Sequence, residues 1–147
     1  MRRLRSLLAL PRGDRFLLLK AATALVLVRA SLTCVRFVSL QRRMARLPRG
    51  EGGGAPRDRR LPRRVAWAVA LVSGHGIGTP TCLVQALTVQ TLLARHGYPS
   101  RLWLGVARNP AGGLDAHAWV EADDELIIGG PASHVAAYTS LSVLDVT

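Results

Sequence analysis

Two residues of this chain are of the types that make an activated nucleophile: Cys82, at the head of an amphipathic stretch, and His117, which opens the segment HAWVE at 117–121. An ordinary thiol is mostly protonated at neutral pH, but at a helix N-terminus with an imidazole in reach it becomes a working nucleophile. The chemistry that follows is acyl transfer through a thioester, most simply peptide hydrolysis. The competing reading of Cys82 is a small buried hydrophobe, which is how Cys34 reads beside Val35 and Phe37. Two cysteines without close ligand spacing do not make a zinc site, and the thioester chemistry calls for neither metal nor cofactor.

The elements that must position this pair can be read from spacing. Thr79 can cap a helix, Pro80 suits its first position, and Cys82 then falls near the third. Apolar Leu83, Ala86, Leu87, Leu92 and Leu93 recur at helical spacing, and Arg95-His96-Gly97 supply a basic last turn and a glycine stop. The pattern predicts a helix over 80–96. Its first N–H groups and the positive end of its macrodipole favour the thiolate and can donate to an oxyanion, at about 2.7–4 kcal/mol per donor in the transition state.

His117 belongs to a different pattern. Residues 116–122 read as a strand with His117, Trp119 and Glu121 on one face, ended by the acidic turn Asp123-Asp124-Glu125. Residues 126–128 return antiparallel, and 101–108 form a further strand joined through the loop 109–113. A hairpin turning at Asp123 and Asp124 brings residues 129–131 opposite His117. Trp119 either shields the core or lines a substrate groove, while Trp67 and Trp103 read as core residues. Upstream, the run VAWAVALV at 65–72 predicts a buried helix beginning near Arg63, followed by a glycine loop at 74–78 that leads to Cys82 and could carry a second oxyanion donor. That loop lacks the lysine and spacing of a phosphate loop. His75, His96 and His134 read as structural or solvent-facing.

Composition sets the organisation. A chain of 147 residues, 49% hydrophobic, can bury one ordinary core. The expectation is an α+β catalytic domain over 63–147, preceded by a basic helical segment at 1–48 and an Arg/Gly/Pro-rich linker at 49–62. Residues 1–64 hold 17 of the 20 basic residues and 3 of the 9 acidic ones, net +14. The apolar run at 16–32 is broken by Lys20 and Arg29, with eight uncharged residues between them, against about 20 for a membrane span. It reads as a helix packed on the core, with a membrane-surface helix as the alternative. No signal-like order precedes it, so a cytoplasmic setting is expected. A pI near 11.6 allows nucleic-acid or anionic-membrane binding, but bare charge is a weak signal and no nucleic acid is expected.

The pieces Thr81-Cys82-Leu83 with Ala86-Leu87, then Leu93-Ala94-Arg95-His96-Gly97-Tyr98-Pro99, Leu104-Gly105-Val106 and Ala116-His117-Ala118-Trp119-Val120-Glu121, in this order, resemble the transglutaminase-like cysteine peptidases of lasso-peptide biosynthesis, the B proteins, in the form where the peptidase is a separate short chain. The openings Leu8-Ala9-Leu10-Pro11 and Arg15-Phe16-Leu17-Leu18 are similar as well. The resemblance implies a papain-like core that hydrolyses the leader from a ribosomally made precursor. It further implies a small leader-binding protein that delivers the leader, and a separate ATP-using cyclase that closes the freed core.

One departure stands out. The family carries its third catalytic group, a carboxylate, about a dozen residues after the His, where this chain reads Ile127-Ile128-Gly129-Gly130-Pro131. Glu121 lies four residues along the strand, about 13 Å away, and Asp123 and Asp124 farther. Asp115, folding back from the loop, is the candidate orienting acid; otherwise a backbone carbonyl or a water orients the ring and leaves a Cys–His dyad. The missing acid also admits a catalytically degenerate carrier of the same fold.

Overall fold

The computed structural model describes residues 11–34, 58–75 and 81–146. The first helix, α1 (Arg12–Cys34), buries Leu17, Ala21, Leu25 and Val28, a stripe at i, i+4, i+8 and i+11. Lys20 and Arg29, the two charges that interrupt the apolar run, fall on its exposed side. Among the described residues no helix is long and apolar enough to cross a membrane. Cys34 ends α1, and its side chain lies outside the described residues, as do residues 35–57.

Helix α2 (Leu61–His75) starts inside the segment expected as linker. Asp58 explains the early start: its Oδ1 accepts from Arg60 N–H and its carbonyl from Leu61 N–H, each at 2.9 Å. Pro62 sits in the first turn, where a helix has no use for its missing N–H. Val65, Ala68 and Val69 point inward. Trp67, expected in the core, is 42% exposed; two residues from Val65 on a helix is nearly the opposite side. Gly74 and His75, expected in the glycine loop, finish the helix, and residues 76–80 lie outside the described residues.

Helix α3 (Cys82–Arg95) is the central element, packed on α1, α2 and the sheet, and nine of its fourteen residues are buried. The expected boundaries shift at its start. Thr81, with extended backbone, is the N-cap, its Oγ1 accepting from Val84 N–H at 3.4 Å, and Cys82 is the first helical residue, not the third. Its far end follows the glycine signal. Gly97 has φ +64° and donates to Ala94 O, while Tyr98 N–H reaches back to Leu93 O, the paired bonds of a Schellman motif.

Three strands follow, β1 (Ser100–Arg108), β2 (Leu114–Ala122) and β3 (Glu125–Ile128), then a one-turn helix α4 (Ala132–Val135) and a strand the sequence reading did not anticipate, β4 (Thr139–Val146). They form one antiparallel sheet in the order β3-β2-β1-β4. The β2–β3 hairpin turns on Asp123 (φ 51°) and Asp124 (φ 59°), the two left-handed residues a type I′ turn requires. Tyr98 hydrogen-bonds Asp123 and Arg101 pairs with Asp124, tying this turn to the end of α3 and the start of β1. One sheet face, with Leu102, Ala118, Val120 and Ala122, joins the core with the helices. The other face carries Trp103, His117, Trp119 and Glu121, as alternation demands.

Candidate active site

His117 sits in β2 opposite Gly105 of β1, half-buried. Its Nε2 lies 2.7 Å from the carbonyl oxygen of Gly129, one residue past β3. A carbonyl can only accept, so in the neutral ring Nε2 carries the proton and Nδ1 presents the lone pair. That is the tautomer of a general base whose working nitrogen is Nδ1. The group facing His117 after the hairpin is a main-chain carbonyl and not a side-chain carboxylate.

The acceptor depends on glycine. Gly129 has φ +133°, and a Cβ added there would fall 2.3 Å from the Cβ of Trp119. Trp119 itself is 4% exposed, so it offers almost no surface to a substrate and does not line an open groove. Its ring stacks on Trp103 with centroids 6.3 Å apart and on His117 at 6.2 Å. Gly105 leaves room for that ring, since a Cβ there would lie 2.9 Å from its far edge. Trp103 is only half-buried and donates its Nε1–H to Glu121 Oε2 at 2.8 Å. Asp115, the candidate orienting acid, is exposed and accepts instead from Asn109 Nδ2 at 3.1 Å.

Two further rings close around the imidazole. His134 of α4 meets it edge-on with centroids 5.0 Å apart, and Tyr138 lies 5.0 Å away at a tilt of 33°. His134 is exposed, as the sequence suggested, yet it borders the site. No local signal marks either residue, because it is the Gly129-Gly130 bend, with φ +133° and +93°, that swings the chain back over His117.

Cys82 has a free, half-buried thiol at the first position of α3. Helix geometry leaves the N–H groups of Cys82 and Leu83 without i−4 partners, while Val84 N–H is taken by Thr81. The connection from α3 to β1 sets how far along the sheet this end lies. From Arg95 back to Cys82 the helix spans about 20 Å at 1.5 Å per residue. From Ser100 forward to Gly105, the partner of His117, β1 covers about 17 Å. Because chain direction reverses at Gly97, these lengths carry the head of α3 about as far along the sheet as the Gly105–His117 pair, but α3 packs on the core face of both strands and His117 stands on the other face. Among the described residues no hydrogen bond joins Cys82 to His117, and none occupies Nδ1. Nor does any cluster of three His, Cys, Asp or Glu side chains among them suit a metal ion.

A family model for the transglutaminase-like superfamily matches residues 24–143. The chain belongs to that superfamily, whose members include cysteine peptidases and acyltransferases, and helices packed on a small antiparallel sheet are the α+β core it entails. No curated protein and no solved structure shows a significant match to it.

Proposed function

We propose that the chain is a cysteine peptidase that removes the leader peptide from a ribosomally made lasso-peptide precursor, with Cys82 as nucleophile and His117 as base. The observation that carries this reading is the anchored imidazole: Nε2–H held by Gly129 O leaves Nδ1 as the basic nitrogen, in a chain whose superfamily includes cysteine peptidases. The likeness of residues 81–121 to the lasso enzymes supplies the substrate class.

In the reaction, Nδ1 of His117 takes the Cys82 proton as Sγ attacks the carbonyl at the leader–core junction. The same proton passes to the departing core amine, leaving the leader as a thioester on Cys82. Water, deprotonated at Nδ1, hydrolyses the thioester and regenerates the thiol. The N–H groups of Cys82 and Leu83, which have no i−4 partner in the helix, donate to the oxyanion at both steps. The Gly129 carbonyl supports the imidazolium through its dipole, a weaker counter-charge than a carboxylate, and this predicts a slower base than a full triad. No hydrogen bond joins Cys82 to His117 among the described residues, so this account requires their contact to form when substrate binds. A small leader-binding protein delivers the substrate and an ATP-using cyclase consumes the product, in the cytoplasm.

The absent carboxylate favours a second reading, a degenerate carrier that binds leader without cleaving it. One experiment separates the two. Incubating the chain with a lasso precursor and its leader-binding protein, and following mass over time, gives free leader and core with wild type and neither with Cys82→Ala or His117→Ala. An intact precursor with wild type favours the carrier.

A further inference from the structure

A strongly charged concavity lies away from His117, where the start of α2 meets α1 and β3. Its volume is about 620 Å³ and its wall is dominated by Arg59, Arg60, Arg63 and Arg64. Two of these are matched: Arg63 with Glu125 and Arg64 with Asp14, each at 2.6 Å. Arg59 and Arg60 make no ion pair among the described residues, so four guanidiniums against two carboxylates leave the pocket at net +2.

This arrangement is not what stability alone selects. Four cations crowd the positive end of the α2 macrodipole, where Asp58, just ahead of the first turn, is the one acid at the helix head among the described residues. Trp67, on the same wall, keeps 42% of its surface in solvent although an apolar core lies one helix face away. Unpaired arginines beside an open tryptophan in a concave site are the elements that hold a carboxylate-bearing chain with an apolar side chain.

We propose that this pocket docks an acidic segment of the peptide substrate, its carboxylates on Arg59 and Arg60 and an apolar side chain against Trp67. Concavity favours a peptide over a flat membrane surface. The two carboxylates inside disfavour the closely spaced phosphates of nucleic acid, which would meet Asp14 and Glu125. Strand β3 links pocket and site: Glu125 closes the pocket, and Gly129, which holds His117, follows four residues on, about 13 Å. An extended peptide of five or six residues spans that interval. The role in cleavage rests on the peptidase reading; the binding does not.

The test is fluorescence anisotropy with the full chain and a fluorescein-labelled decapeptide of Glu and Asp around one Phe, beside its Gln/Asn counterpart. The acidic peptide binds, the neutral one binds at least tenfold more weakly, and affinity falls with added salt. Arg59→Glu with Arg60→Glu weakens binding tenfold or more, the Gln pair does so by a smaller factor, and Trp67→Ala costs severalfold. Arg108→Glu, an exposed cation elsewhere, changes it less than twofold, and circular dichroism confirms that each variant is folded. Equal losses in Arg108→Glu and the Arg59/Arg60 pair, no peptide binding, or preference for phosphatidylglycerol vesicles or duplex DNA overturns the proposal. Cys82→Ala binds as wild type does. Pocket-dependent binding without precursor cleavage retires the peptidase and keeps the pocket; cleavage indifferent to the Arg59/Arg60 pair does the reverse.

Discussion

The imidazole of His117 is held at Nε2 by the main-chain carbonyl of Gly129, 2.7 Å away, and by no carboxylate among the described residues. A carbonyl fixes the tautomer and the ring plane as well as an acid does, but brings only a partial charge to the imidazolium that forms in the reaction. Orientation is therefore preserved while charge stabilisation is reduced.

Gly129→Ala tests that dependence. The substitution puts a Cβ 2.3 Å from that of Trp119 at a backbone φ of +133°, so the carbonyl must move. Strained positions of this kind cost about 1–3 kcal/mol, and the urea midpoint should fall accordingly. Precursor cleavage should fall at least tenfold when measured where the variant is fully folded. A variant with normal cleavage would mean that the carbonyl does not orient the base.

Thr81→Ala separates helix capping from chemistry. Removing an N-cap side chain costs about 0.5–2 kcal/mol, and the 3.4 Å bond to Val84 N–H places this one at the lower end. Chemical denaturation should show that loss. Because Cys82 is the next residue, its alkylation should slow by no more than a few-fold, provided the helix start persists.

His96, the C-cap of α3, has its pKa lowered, first by desolvation and then by the charge of Lys20. The native state thus binds this proton less readily than the unfolded chain, whose imidazole titrates near 6.5. The sign follows: the contribution is fully present above the unfolded pKa and is lost as pH falls from there through the lower folded value. His96→Gln should therefore lose less stability than wild type between pH 7.5 and pH 5, read as the difference in urea midpoints. Equal losses would show that other groups carry the acid sensitivity.

Local signals made much of this fold legible. The apolar spacing of α3 and its Gly97 stop mark a Schellman end, and paired aspartates ahead of a short apolar run mark the β2–β3 turn. The same hairpin geometry brings Gly129 to His117 without any acid. Position was less legible where neighbouring residues are chemically alike. Thr79 and Thr81 are equally good caps by type, and only the fold selects Thr81. Within VAWAVALV both helix sides are apolar, so periodicity could not reveal that Trp67 faces out. Long-range pairing was illegible: β4 owes its place to β1, some forty residues earlier, and His134 and Tyr138 reach His117 only because two consecutive glycines reverse the chain.

Alkylation by iodoacetamide, followed residue by residue across pH 5–9, tests the Cys82–His117 pair most directly, with Cys34 as an internal comparison thiol. The account predicts that Cys82 reacts faster than Cys34 below pH 8, and that His117→Gln abolishes this advantage while sparing Cys34. Equal rates for the two thiols, or a Cys82 rate indifferent to His117→Gln, would contradict it.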